Sequence, residues 1–294
     1  MLEVFQLMQV HTWFFLLVVG LVSLCIGSFL NVVIYRMPKM LHEQWRCECE
    51  SLLNEQITEQ HNTPSLSFNL ATPGSHCPAC NAKIKPWHNI PLLSWLILRG
   101  RCNDCKTPIS MRYPLIELGT ALSALLVAWH FGASEQTALY LVLTWALIAL
   151  IFIDIDHMLL PDQITQPLLW LMLIASTFNI TIAPTEAIIG AAVGYLSLWS
   201  VYWLFKLATG KEGMGYGDFK LLAIFGALLG WQAILTIVLL SSCVGAIIGS
   251  IQLAVQGKDK STPIPFGPYL AIAGWLTLLF GDIIENWYFS LILA

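Results

Sequence analysis

The feature that most constrains this chain is a recurrence of unbroken apolar stretches, each close to the length of a membrane-spanning helix. They fall at about 13–35, 115–133, 136–153, 164–181, 186–206, 218–231, 232–255 and 266–284. A spanning helix needs about 20 mostly apolar residues, because its backbone must satisfy its own hydrogen bonds in hydrocarbon. The pattern predicts an all-α polytopic membrane protein with about eight transmembrane helices. The stretch opening at Asp218 is the shortest and contains glycine. Composition supports the class: 57% of residues are hydrophobic and only 11% charged, against about 25% charged in ordinary soluble chains. That excludes a soluble domain and a disordered chain. A net charge of −4 offers nucleic acid no footing. MLEVFQLMQVHTW carries no Lys or Arg ahead of the first stretch, so that stretch reads as a retained helix and not a secretory signal.

The basic residues set the orientation. Nine of the fourteen lie between Arg36 and Arg112, three are Lys206, Lys211 and Lys220, and two are Lys258 and Lys260. With eight spans, all of these loops share one face, and the loops near 134, 183 and 232 carry none. The positive-inside rule makes the charged face cytoplasmic and puts both termini outside. The expected division is a first transmembrane helix at 1–35, a cytoplasmic domain at 36–113 and a transmembrane core at 114–294. The lipid bilayer is then the chain's main surrounding.

Within 36–113, Leu41, Trp45, Cys49, Leu53 and Ile57 recur every four residues from Lys39 to about Gln60, with Glu48, Glu55 and Glu59 elsewhere around the helix. That predicts an amphipathic helix on the membrane surface or on the rest of the loop. Residues 62–75 are rich in Pro, Ser, Asn and Thr and read as a connector. IPLLSWLIL (90–98) is too short to span and should pack at the interface. Cys77-Pro-Ala-Cys80 and Cys102-Asn-Asp-Cys105 are two knuckles able to complete a closed tetrahedral S4 site, which points to structural zinc. A redox dithiol is the weaker reading, because nothing resembles a thioredoxin context. Cys25 and Cys243 lie in spans as packing residues, and Cys47 and Cys49 have poor chelating spacing.

Carboxylates at span ends with no adjacent Lys or Arg are costly and usually functional. Asp154 closes the third span, Asp218 opens the sixth, and both fall at the cytoplasmic boundary. Two carboxylates meeting in a low-dielectric site share one proton, and such a pair can activate water against a peptide carbonyl. Gly213, Gly215 and Gly217 before Asp218 permit close backbone approach and pairing with an extended substrate. Asp154 and Asp156 point about 200° apart on a helix, so only one faces Asp218, and spacing does not choose between them. Asp162, after Pro161, reads as the N-cap of the next helix. Glu117 is either a ligand-binding acid or a residue paired within the bundle.

Gly215-Tyr216-Gly217-Asp218 matches the GxGD motif of intramembrane aspartic proteases. Within that group the chain resembles the type IV prepilin peptidases over nearly its whole length. The resemblance runs through GSFLNVVIYRMP (27–38), both cysteine pairs, RYPLIE (112–117), DxDxxxLPD (154–162), GxGD (215–218) and a PFGPYLA segment ending at Ala271. It implies Asp218 and Asp154 as the catalytic pair, with Asp156 as the fallback and Gly215 and Gly217 in support. It implies cleavage of the short basic leader from prepilins and type II secretion pseudopilins at the cytoplasmic face of a bacterial inner membrane. It also implies N-methylation of the new N-terminus with S-adenosylmethionine, an activity that composition and spacing do not suggest. Gly27, Asn31 and Arg36 mark the region expected to serve that second reaction, although Asn31 and Arg36 also suit plain interfacial roles. Two alternatives remain at this level. One is a peptidase without methylation, which the tetracysteine domain disfavours. The other is a proton-coupled transporter using Asp154 and Asp218 as a relay, for which the spans hold few ionisable residues.

Overall fold

The computed structural model describes residues 7–53, 68–256 and 265–292. Among the described residues the α-helices include α1 (Thr12–Leu53), α2 (Leu93–Ile97), α3 (Arg112–Phe131), α4 (Glu135–His157), α5 (Asp162–Thr177), α6 (Pro184–Thr209), α7 (Tyr216–Leu229), α8 (Gln232–Gln256) and α9 (Gly267–Ile292). All eight apolar stretches fold as helices, and no strand occurs among the described residues beyond two isolated bridges. Six of them, α1, α3, α4, α6, α8 and α9, contain a segment long and apolar enough to cross a membrane. This is a multi-pass membrane protein. Helices α5 and α7 have 16 and 14 residues, roughly 24 and 21 Å at 1.5 Å per residue, short of a ~30 Å hydrocarbon core.

The first stretch and the amphipathic segment do not form separate helices. Helix α1 runs unbroken for 42 residues through Pro38 to Leu53, because the residues on both sides of that proline keep helical propensity. At roughly 63 Å it exceeds the hydrocarbon core about twofold. Leu41 is buried, but Trp45, Cys49 and Leu53 are exposed. Ile57, Glu55 and Glu59 lie outside the described residues, as do Lys258 and Lys260.

The chain divides into two compact units, Met1–Ala133 and Ser134–Ala294. In the first, α1 and α3 pack antiparallel. Gly20 faces Leu125, Gly27 faces Glu117 and Thr120, and the Asn31 amide donates to Tyr113 O at 3.2 Å. A Cβ on Gly27 would lie 2.8 Å from the Glu117 Cα, so only glycine lets these helices approach so closely.

In the second unit α7 is the central element, packed against α5, α6, α8 and α9. Every residue from Leu221 to Leu228 is buried, as expected of a helix that is apolar all round. Gly190 of α6 and Gly226 of α7 meet backbone to backbone, with no room for a side chain on either. Helix α4 begins at Ser134, whose Oγ accepts the Thr137 N–H at 3.1 Å. It ends at left-handed Met158 (φ 52°), whose N–H returns to Asp154 O at 2.8 Å. The Trp275 Nε1–H donates to Thr144 Oγ1 at 3.0 Å, tying α9 to α4 above that end.

Candidate active site and metal centre

The last turn of α4 separates the two aspartates that spacing left open. Asp154 is 5% exposed, whereas Asp156 lies on the exposed side of the helix. Asp218 is also 5% exposed, at the third position of α7. There its carboxylate accepts the Gly215 N–H, the backward reach of an acid in the first turn of a helix. Asp154 and Asp218 are close enough to interact electrostatically. The structure thus brings Asp154 to Asp218, and burial distinguishes it from Asp156.

Glycines and one leucine hold the pair. The Asp154 carboxylate accepts the N–H of Gly267, the first residue of α9. A Cβ on Gly267 would stand 2.6 Å from Asp154 Oδ2 and 3.1 Å from Leu160 Cδ1. Leu160 also fills the space beside Gly217, where a Cβ would lie 2.6 Å from Leu160 Cβ. Gly213 packs on the Phe205 ring. Two of the three GxGD-region glycines are therefore spent on the protein's own packing. Gly215 is exposed, and among the described residues only Asp218 Oδ2, at 3.8 Å, lies near the place of its missing Cβ.

Two supporting contacts were not legible in the sequence. Lys220 Nζ bonds Asp162 Oδ1 across the starts of α7 and α5. The residue at the N-cap of α5 is Pro161, and Asp162 follows it without a side-chain capping bond. Its carboxylate goes instead to the lysine, and it suits the positive helix end. Lys206 Nζ bonds Glu212 Oε1 at 2.8 Å and Tyr202 Oη at 3.3 Å, folding the loop before α7 back onto α6. The Lys206 ammonium holds the Glu212 carboxyl below its usual range.

The four knuckle cysteines converge in the first unit. Their sulfurs all lie within 4.8 Å of one another, and Cys77 and Cys105 Sγ are 3.8 Å apart. A tetrahedral zinc with Zn–S bonds of about 2.3 Å requires sulfurs about 3.8 Å apart, so the donor set and its spacing fit the ion. The knuckles are backbone copies of each other. Cys77 N–H bonds Ala82 O and Asn81 N–H bonds Cys77 O; Cys102 N–H bonds Thr107 O and Lys106 N–H bonds Cys102 O. Asn81 and Lys106 both take positive φ, 56° and 60°. No sequence repeat announces this, since only the cysteines match. Thr107's hydroxyl and N–H stabilise the Cys105 thiolate and bring that thiol down to about 6.

Two family models cover most of the chain: a bacterial peptidase A24 N-terminal domain over residues 21–131 and the type IV leader peptidase family over 141–250. The boundary between them falls where the two compact units meet in sequence. A prepilin leader peptidase/N-methyltransferase of Pseudomonas aeruginosa is 53% identical over 278 residues, covering 95% of this chain and 94% of that one. The chain belongs to the type IV leader peptidase family. Members carrying the same description are 54% identical in Aeromonas hydrophila, with 95% of each chain covered, and 49% identical in Legionella pneumophila, with 95% and 96% covered. No solved structure matches the chain. Five of the six family motifs named from the sequence lie within the two matched segments, and the sixth, PFGPYLA, leads into the start of α9.

The region first associated with methyl transfer is already engaged by the protein. Gly27 is filled by the Glu117 backbone, and the Asn31 amide is spent on Gly27 O and Tyr113 O. Arg36 is 7% exposed, and its guanidinium donates to the carbonyls of Asn69, Leu70 and Pro73 at 2.8, 3.5 and 2.6 Å. As direct ligands of S-adenosylmethionine these three residues do not fit.

Proposed function

We propose that this family member is a membrane aspartic endopeptidase that removes the short basic leader from type IV prepilins and type II secretion pseudopilins, then N-methylates the new N-terminus with S-adenosylmethionine. The observation that carries the proteolytic half is the buried Asp154 and Asp218 meeting in the second unit. One carboxylate, ionised, takes a proton from a water whose oxygen attacks the scissile carbonyl carbon. The other, protonated, donates to the carbonyl oxygen. Collapse breaks the C–N bond and the leaving amine takes up a proton. Exposed Gly215 leaves room for an extended substrate backbone beside Asp218. Gly217 supports the pair through its contact with Leu160.

The sequence supports the remaining assignments. With α5 and α7 also crossing the membrane, short as they are, the distribution of Lys and Arg favours a cytoplasmic active site in a bacterial inner membrane. Residues 1–35 serve as the first transmembrane helix, 36–113 as the cytoplasmic metal domain and 114–294 as the peptidase core. Gly27, Asn31 and Arg36 are engaged within the protein, so the methyl donor takes its ligands from other residues. The test is purified protein in lipid nanodiscs with a prepilin substrate, read by mass spectrometry with and without S-adenosylmethionine. Cleavage followed by methylation of the product, and not of the precursor, is the expected result. Cleavage without methylation favours the peptidase-only reading, and no cleavage removes the protease in favour of a transporter.

Cys77, Cys80, Cys102 and Cys105 would hold one zinc as a closed structural site. Cys102→Ser is expected to lose the metal and loosen residues 76–106 while leaving peptide hydrolysis nearly intact. Acid should release the metal as protons compete for the sulfurs. Metal analysis across pH checks both statements, and a metal-free wild type of full stability would remove the site.

The Lys220–Asp162 pair has one partner 57% exposed, and exposed ion pairs are worth about 0–1 kcal/mol. Lys220→Met and Asp162→Asn should each lower kcat/KM for cleavage only a few-fold, with the double variant no worse than either. A loss beyond about a hundredfold in Asp162→Asn, near 2.7 kcal/mol of barrier, would move Asp162 into the catalytic machinery.

A further inference from the structure

The first unit contains a buried cation and a buried anion, Arg36 at 7% and Glu117 at 8% exposure, that the proteolytic mechanism does not use. Both are satisfied by backbone groups of the cytoplasmic loop between α1 and α3. Arg36, on α1, donates to three carbonyls at Asn69, Leu70 and Pro73, ahead of the first knuckle. The Phe68 ring lies 5.7 Å from its guanidinium. Asn69 Oδ1 in turn accepts the N–H groups of Ala71 and Thr72 at 2.8 and 2.7 Å, so the carbonyls come from a tight, self-bonded turn. Glu117, on α3, accepts the Leu92 N–H through Oε2 at 2.8 Å, between the two knuckles. The Ser28 hydroxyl of α1 also bonds the Glu117 carboxylate.

Leu92 supplies an independent sign that this contact is imposed. Its backbone sits at φ 57°, ψ −49°, a conformation unfavourable for a residue with a branched side chain. It opens the short helix α2, which leads into the second knuckle. Such a conformation persists only where its surroundings over-determine it, and the Glu117 carboxylate is the group that receives its N–H.

We propose that Arg36 and Glu117 form a two-point electrostatic clamp that docks the tetracysteine loop onto the α1–α3 helix pair, and that both are positioning residues for methyl transfer. Leaving the dock would strand a buried positive and a buried negative group without their dipolar partners, which is costly for either sign. The loop backbone serves as counter-charge to both at once, carbonyls to the cation and an N–H to the anion. Undocking is therefore opposed at two places about twenty residues apart in the loop. The second half of the proposal rests on the reading that this protein methylates its cleaved product.

The test uses the full-length protein in nanodiscs. Glu117→Ala should speed hydrogen exchange at Leu92 and through residues 90–98 by about tenfold or more, as loss of a bond to a charged acceptor implies. Arg36→Met should do the same at residues 69–73. Glu117→Gln, whose amide oxygen still accepts the Leu92 N–H, should restore protection. Methyl transfer should follow protection: impaired in Glu117→Ala, chiefly as a fall in kcat, and recovered in Glu117→Gln, with leader cleavage unchanged throughout. Unchanged exchange in Glu117→Ala overturns the clamp. Restored protection without restored methylation in Glu117→Gln also overturns it, since Glu117 would then act as a proton acceptor. Raised exchange with methyl transfer untouched overturns the positioning role. A wild-type protein that cleaves but never methylates sinks the functional reading, while the exchange measurements still decide the clamp.

Discussion

Replacing Asp218 by Asn should abolish leader cleavage, and Asp154→Asn should do the same. Each carboxylate is buried to 5% exposure, and each has a specific backbone donor, Gly215 for Asp218 and Gly267 for Asp154. Both variants keep the shape and the accepting oxygen, so folding and metal content should survive while the shared-proton chemistry is lost. The expected fall in kcat is on the order of 10⁴-fold or more, and the double variant should be no worse, because groups acting as a unit are not additive. Wild-type activity should trace a bell against pH. On the acid side a second proton silences the base; on the alkaline side loss of the shared proton silences the acid. Asp156→Asn should retain cleavage within several-fold, since its side chain is on the exposed side of α4. The readout is kcat on a prepilin substrate in nanodiscs. Near-normal cleavage by Asp218→Asn would end the aspartic-protease reading, whereas a dead Asp156→Asn beside an active Asp154→Asn would only exchange the partner.

The helices were legible because a membrane span is encoded locally, by about 20 apolar residues in a row. The same rule explains where legibility stopped. Nothing in a window around Pro38 distinguishes a helix that breaks from one that runs through, and α1 runs through. The tetracysteine cluster was legible because thiolate spacing is itself the signal. The shared backbone path of the two knuckles was not, since it is written in hydrogen bonds and in the positive φ of Asn81 and Lys106, two unlike residues. At the candidate active site, periodicity could say that Asp154 and Asp156 face apart but not which way α4 is turned. That is fixed by its packing, with Leu150 and Ile153 wholly buried beside Asp154. Lys220 with Asp162, Arg36 with the Asn69 turn, and Glu117 with Leu92 are tertiary pairings between distant segments. In each, one partner is a common surface residue type or a backbone group, so composition gives no warning.

Gly267 is the position where this tertiary information has its sharpest consequence. In the sequence it is the third residue of a PFGPYLA segment that carries resemblance and no role. In the structure it starts α9, gives its N–H to Asp154, and has no space for a side chain: an added Cβ would sit 2.6 Å from Asp154 Oδ2 and 3.1 Å from Leu160 Cδ1. Leu160 cannot retreat freely, because its Cβ already occupies the gap beside Gly217. The carboxylate must therefore move in Gly267→Ala, or α9 must shift and withdraw its N–H; either outcome breaks the alignment with Asp218. A displacement near 1 Å at a reacting group costs about a hundredfold in rate, so kcat should fall by about that factor with KM for prepilin little changed. A drop of this size in a single methyl addition is separable from general destabilisation by comparison with Gly274→Ala. There the new methyl meets the Phe225 ring, in the core away from both carboxylates, so thermal stability should fall and turnover per folded molecule should hold. Equal turnover losses in the two variants would reduce Gly267 to a packing residue. Wild-type turnover in Gly267→Ala would show that Asp154 is not held through α9 at all.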